Sequence, residues 1–253
     1  MILKLDHVAF ATDSPTADIS LFTSLGWTVR FAETDIANPG IKQGLMRHFC
    51  PRQGVTLLDH PHGPSVELLD HGPTVGVGPL QLVLTGVPTA MREPTGTTAE
   101  IAGEHLTEAL LDGRIPVWLK TGDSPGSAGV VALTRAAEPA AEFFGSLGFR
   151  SDEADRRRLT FSSPIDRTAF SLYLLESPSA SGWHLDDDGA NCVALVTSAL
   201  PTELARLSSA GYCVSESAEL VLAGREVTVA FVTGPGGELV ELIGVARPRD
   251  VGN

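Results

Sequence analysis

One succession of local patterns returns along this chain, and that repetition constrains its fold more than any other feature. Leu5 to Thr12 (LDHVAFAT) is a short apolar run, and after Ser14-Pro15 comes the amphipathic stretch ADISLFTSLG, closing on Gly26 where a helix would stop. Strand-like Trp27 to Ala32 follows. The same order recurs near the other end as Cys192 to Thr197 (CVALVT), Leu200-Pro201 opening TELARLSSAG, Gly211, and LVELIG at Leu239 to Gly244. A third copy runs through Val130 to Thr134 (VVALT), Glu138-Pro139, AAEFFGSLGF ending at Phe149, and Phe170 to Glu176 (FSLYLLE). The SLG turn itself returns, at Ser24 to Gly26 and Ser146 to Gly148. A degenerate copy lies between, with Pro79 to Thr85 (PLQLVLT) as its first strand, helical periodicity over Thr97 to Leu111, and Ile115 to Lys120 as its last strand. The copies divide the chain into two halves of two modules each, 1–123 with the degenerate second module and 124–253.

The bulk properties set the class of partner. With 43% hydrophobic and 19% charged residues over 253 positions, the chain has the composition of a folded globular protein. Lys plus Arg total 18 against 31 Asp plus Glu, a net charge of -13 that repels phosphate backbones and anionic lipid headgroups. Nucleic acid and membrane are therefore not expected partners. Met1 to Asp6 has no basic stretch leading into a long apolar run, and no segment reaches the ~18 apolar residues a membrane helix needs. Cys50, Cys192 and Cys213 are odd in number and at no zinc-ribbon spacing, which predicts reduced thiols and a cytoplasmic location.

A first strand with an early His, a helix ending in LG plus an aromatic residue, a strand pair, and a last strand carrying V-E-L together resemble the vicinal-oxygen-chelate superfamily, which includes glyoxalases, bleomycin-resistance proteins and extradiol dioxygenases. The resemblance covers about Leu3 to Val245. It implies an α+β fold of βαβββ modules whose curved mixed sheets surround a small-molecule pocket. It also implies one ligand from the first strand and one from the last strand of each active module, facing that pocket. Alternation along the strands assigns the positions. His7, Ala9 and Ala11 share one face of the first strand, while Val8 and Phe10 face the helix; in the last strand Val66 and Leu68 face the core and Glu67 faces the pocket. In the C-terminal module Glu241 matches Glu67, and Cys192 stands where the family more usually has His, with Asn191 beside it if the register slips by one. The middle modules offer Leu80 and Val130 at the early position and Trp118 and Tyr173 at the late one, which chelate nothing.

The intact half-sites thus belong to the outer modules, and pairing of the first with the fourth, as in four-module glyoxalases, is the expectation. His7, Glu67, Glu241 and Cys192 then form the expected ligand set for one divalent ion, Zn, Ni, Co, Mn or Fe, with Glu67 and Glu241 as the catalytic carboxylates. His7 must lie within ~10 Å of Glu241 for one ion to bridge them. Without the family frame, a lone strand His is usually an ordinary half-buried residue and a strand Glu usually faces water. His48, His60, His62 and His71 also crowd the first module, but Asp59, Pro61, Gly63 and Pro64 make His60-Pro61-His62 read as an exposed turn. The Asp186 to Asp188 run reads as a solvated loop.

Three functions fit this reading. The first is a metal-dependent isomerase, epimerase or lyase acting next to a carbonyl of a small-molecule substrate. The second is a non-catalytic small-molecule or antibiotic binder, its cavity lined by aromatics such as Trp118, Tyr173, Trp183 or Phe231. An extradiol-type Fe(II) dioxygenase is the third, although it calls for two His and one carboxylate where this set has one His. Monomer and homodimer are equally compatible with the sequence.

Overall fold

The apolar run at the start of the chain becomes β1 (Ile2–Ala11), and Pro15 opens α1 (Pro15–Ser24) at a position where its missing N–H is no loss. The helix stops at Gly26, whose φ of 101° lies in the left-handed region that glycine enters freely. In this computed structural model, which describes residues 1–122, 126–152, 155–178, 180 and 182–245, the first module continues with β2 (Thr28–Ala37), β3 (Arg52–Asp59) and β4 (Ser65–Asp70). The second comprises β5 (Leu80–Thr85), β6 (Arg92–Ile101), β7 (Glu104–Leu111) and β8 (Ile115–Lys120). The third comprises β9 (Gly126–Thr134), α2 (Ala137–Ser146), β10 (Arg150–Ser151), β11 (Arg158–Ser162) and β12 (Ala169–Glu176). The fourth comprises β13 (Gly189–Thr197), α3 (Leu200–Ser209), β14 (Cys213–Val214), β15 (Ala218–Leu222), β16 (Arg225–Thr233) and β17 (Leu239–Gly244). The fold is therefore α+β and sheet-dominated, as the repeats predict.

The second module departs from expectation. Thr97 to Leu111 is not helical but forms most of the β6–β7 hairpin, in which Ile101 pairs with Glu104 across a two-residue turn. Ala102 and Gly103 take φ of 52° and 73°, the mirror-image turn whose twist suits a hairpin. Thr95, Thr97, Thr98 and Thr107 are β-branched and disfavour the helix that the spacing of apolar residues suggested. A single 3-10 turn, Thr89–Met91, stands where the other modules have a helix.

In each module the first strand runs parallel to the last, as in β1–β4 and β13–β17. Modules one and four join where β1 pairs antiparallel with β13, and modules two and three join in the same way through β5 and β9. The chain boundary at 123/124 lies outside the described residues, and each half of the sequence gives one module to each concave surface. The convex faces carry the core: Phe10 meets Phe22 of α1 edge-to-face at 5.5 Å, and Phe22 meets Trp27 at the same distance. Phe22 is fully buried, a contribution on the order of 2 kcal/mol.

Register corrects the early positions of the middle modules. Ala9 pairs with Glu67 and Ala194 with Glu241, so the early residue lies two positions before the partner of the late one. By that rule, Trp118 paired with Val83 and Tyr173 paired with Val131 point to Gln81 and Gly129 rather than Leu80 and Val130. Their concave surface is filled. Val83, Ile101, Leu106, Trp118, Val131 and Tyr173 pack as one cluster, and Glu104 closes it by accepting from Tyr173 Oη at 2.7 Å and pairing with Lys120 at 2.8 Å and Arg158 at 3.0 Å.

Candidate metal centre

The other concave surface is built by β1, β4, β13 and β17, and here three polar side chains meet. His7 Nε2 lies 3.2 Å from Glu67 Oε2 and 3.7 Å from Glu241 Oε2. The three residues are 4%, 7% and 8% exposed, and one potential ligand atom from each lies within 4.8 Å of the others. His7 Nε2 is buried without a hydrogen bond of acceptable geometry, although carboxylate oxygens surround it. An imidazole nitrogen aimed at two acidic oxygens but bonded to neither is the donor arrangement a divalent ion takes. The set therefore fits such an ion.

Asp6 fixes the far side of the imidazole. Between Leu5 and His7 the β1–β13 register slips, so β1 carries an extra residue there, and a bulge of this kind turns a side chain that alternation would aim elsewhere. Asp6 Oδ2 stands 3.3 Å from His7 Nδ1. That contact leaves Nε2 for the centre, the outer-partner arrangement common to metal-ligating histidines.

The charges are mutually dependent. Burial works to lower the His7 pKa, but the Glu67 charge and the close carboxylates of Asp6, Glu241 and Glu67 hold it well above its ordinary value. For Glu67, burial works to raise the pKa, but the charge of the adjacent His7 and then the Lys42 ammonium bring it below the usual range. Burial likewise opposes ionisation of Asp6, and His7 with Lys4 outweighs it, so Asp6 sits far below an ordinary carboxylate.

Cys192 shares the concave face with His7: it pairs with Ala9 and occupies the position that register makes equivalent to His7. It lies outside the three-residue group, its Sγ 3.7 Å from the Val193 carbonyl oxygen. Burial and then the Glu241 charge push its thiol well above the usual range, which favours the neutral thiol. Asn191 points the other way, and its Nδ2 donates to the Leu185 and Asp187 carbonyls at 3.1 and 3.2 Å. Thr56 pairs with Leu68 and so lies on the face opposite Glu67.

A cavity of about 590 Å³ opens beside the centre, with Phe31, Leu57, Val196, Val229 and Ile243 among its apolar walls and the exposed Arg30 and Arg225 in its lining. Trp118, Tyr173, Trp183 and Phe231 do not line it; all four are core residues. His60 does not stand free in a turn, since it is 9% exposed and packs on Trp27 at 4.3 Å between ring centroids, while His62 is exposed. Nor is the acidic run solvated throughout: Asp188 is exposed, but Asp186 and Asp187 are each 1% exposed. Asp186 accepts the backbone N–H groups of Arg47 and His48, and Asp187 pairs with Arg47 at 3.0 Å.

No family model matches the chain, and no curated protein matches it. Solved structures do. A Bacillus subtilis protein provisionally named a dioxygenase superposes with a TM-score of 0.66 at 13% identity, over 96% of this chain and 85% of that one. Glyoxalase I from Zea mays superposes with a TM-score of 0.62 at 13% identity, over 95% of this chain and 92% of that one. The chain has the vicinal-oxygen-chelate fold. Within that fold the outer pair of modules carries the polar centre and the inner pair a packed hydrophobic cluster. None of the described helices is long and apolar enough to cross a membrane.

Two groups near the centre escaped the sequence reading. Asp6 was hidden because strict alternation sends it to the opposite face from His7, and a bulge leaves no mark in composition. Lys42 belongs to the 3-10 turn Gly40–Leu45 between β2 and β3, where no periodicity assigns a direction. It is nonetheless only 4% exposed.

Proposed function

We propose that this protein is a metal-dependent small-molecule enzyme, an isomerase, epimerase or lyase that acts on a carbon next to a carbonyl. The observation that carries this reading is the buried, unbonded His7 Nε2 facing Glu67 and Glu241 at the wall of a substrate-sized cavity. His7 and Glu67, the closer pair, would hold a divalent ion of the group Zn, Ni, Co, Mn or Fe, with Glu241 within reach of the same ion. When bound, that ion supplies Lewis-acid polarisation of a substrate carbonyl. Glu241, at the longer distance from His7, is the carboxylate that takes the adjacent proton and returns it. Asp6 keeps His7 in one orientation, and the walls of Phe31, Leu57, Val229 and Ile243 keep water from the exposed carbanion-like carbon.

Metal analysis and proton exchange test this together. About one divalent ion per chain is expected in protein purified without chelator, and none in the His7→Ala, Glu67→Ala double variant. Wild-type protein is then expected to exchange the α-hydrogen of some member of a panel of small α-hydroxy and α-oxo carbonyl compounds for deuterium, and Glu241→Gln to lose that exchange. Folded wild-type protein that takes up no divalent ion defeats the reading.

A non-catalytic binder of small molecules or antibiotics is the runner-up, favoured by the neutral Cys192 thiol at the position equivalent to His7. The same metal analysis separates the two. The Fe(II) dioxygenase reading ranks lower because His7 is the single imidazole in the group.

A further inference from the structure

The cavity that holds His7, Glu67 and Glu241 in its wall also holds charges the chemistry at the centre does not use. Lys4 is already paired with Asp6 at 2.9 Å. Beyond these, the lining carries two guanidiniums, Arg30 and Arg225, and one carboxylate, Glu226. Arg30 meets Asp59 only through Nε, at 3.8 Å, and that carboxylate already accepts from Ser65 Oγ at 2.6 Å. Among the described residues, the terminal nitrogens of Arg30 have no partner, and Arg225 has neither an ion pair within 4.0 Å nor a side-chain hydrogen bond. Two arginines against one acid leave a local excess of one positive charge, in a chain whose net charge is -13.

Strand register explains how both arginines come to face the cavity. Arg225, Val227 and Val229 alternate along one face of β16, and Val229 pairs with Ile243, another wall residue. Arg30 owes its direction to a bulge: the β2–β3 register slips between Val29 and Phe31, so Arg30 is an extra residue and lines the cavity beside its own neighbour Phe31. Strands β2 and β15 lie at opposite edges of the curved outer sheet, yet the tip of the β15–β16 hairpin reaches β2, where the Ala223 N–H donates to Glu33 Oε1 at 3.0 Å. The arginine-bearing segments are thereby held together at the mouth. The centre lies deeper. Phe231 pairs with Glu241 and stands six residues along β16 from Arg225, roughly 20 Å of strand at ~3.3 Å per residue. Phe31 is linked to Glu67 through Leu57, two strand spacings or roughly 10 Å away. Between the centre and the mouth the walls are apolar, formed by Phe31, Leu57, Val227 and Val229.

We propose that Arg30 and Arg225 form an anion clamp at the mouth of this cavity, so that the substrate is an elongated molecule with its reacting carbonyl at the centre, an apolar middle, and a terminal carboxylate remote from the reacting carbon. This inference rests on the metal-centre reading. The guanidinium fork matches a carboxylate in shape, and one negative charge cancels the local excess. Two like charges lining one cavity repel each other, and an anion shared between them removes that cost.

Cobalt(II)-loaded protein tests the clamp through the visible spectrum of the bound ion, titrated with two probes whose hydroxamate end chelates metal. One is the monohydroxamic acid of suberic acid, which ends in a carboxylate; the other is its terminal amide, equal in length and neutral. Wild-type protein is expected to bind the carboxylate probe about fivefold or more tightly, with the preference shrinking as salt is added. The Arg30→Gln, Arg225→Gln double variant, still holding about one cobalt, is expected to bind the two probes within about twofold of each other. Equal binding by wild-type protein overturns the clamp, and so does a double variant that keeps the full preference. The two failures are distinguishable: cobalt uptake without a carboxylate preference removes only the clamp, while no uptake by folded wild-type protein brings down the metal centre and the clamp with it.

Discussion

His7 Nε2 lies 3.7 Å from Glu241 Oε2, although one residue belongs to the first of the described strands and the other to the last. The β1–β13 and β13–β17 pairings bring them together, and Glu67 reaches the same point through β4. Three side chains from three strands then share one hollow.

Metal affinity follows from that convergence. His7→Ala removes the only imidazole of the group and is expected to weaken zinc binding by well over about 100-fold, while Asp6→Asn, which alters only the outer contact, weakens it by about 10–100-fold. Competition titration against a chromogenic chelator measures both. Equal affinities for wild type and His7→Ala would place the ion elsewhere.

Stability of the metal-free protein depends on pH with opposite signs for two partners. His7 has a raised pKa in the fold, so its contribution is complete below its ordinary value of 6.5 and fades as pH rises through the raised one. Glu67 has a lowered pKa, so its contribution is complete above its ordinary value of 4.5 and fades as pH falls through the lowered one. The Tm difference between wild type and the His7→Gln, Glu67→Gln double variant should therefore be greatest between these two ordinary values and shrink on either side. Adding a divalent ion reverses the trend at the alkaline end, because the ion needs the imidazole deprotonated.

The inner pair of modules makes a steric prediction. A Cβ on Gly129 would lie 2.1 Å from the Ser171 carbonyl oxygen, directly across the β9–β12 pairing. Gly129→Ala should cost more than about 2 kcal/mol, read from the urea midpoint. Gly145→Ala in α2, where a Cβ meets nothing within 4 Å, should be neutral or stabilising by up to about 1 kcal/mol.

Tyr173 holds the lid of the same inner cluster through its 2.7 Å bond to Glu104. Tyr173→Phe should destabilise by about 1–2 kcal/mol in chemical denaturation, since Glu104 keeps Lys120 and Arg158 as partners. Metal affinity should not change, because the inner and outer concave surfaces share no ligand.

Much of this was legible in the sequence wherever a period carried the information. The repeats gave the modules, and strand alternation aimed His7, Glu67 and Glu241 at one another while sending Val8 and Phe10 under the helix. Legibility failed where the period broke. The Thr97 to Leu111 segment has apolar residues that satisfy a helical template, but Thr branching and the Ala102-Gly103 turn decide for a hairpin. A one-residue register separates Gln81 and Gly129 from Leu80 and Val130, and only the strand pairing resolves it. Asp6 depends on a bulge, Lys42 on the path of a loop, and the burial of Asp186 and Asp187 on backbone donors from residues far away in sequence.

The seam between β1 and β13 also sets when activity becomes possible. A nascent chain emerging from the ribosome holds His7 well before β13 and β17, so any catalytic competence waits until both of these later strands have been made. Closing that long loop is entropically slow, and until it closes the apolar edge of β1 is exposed to passing chaperones.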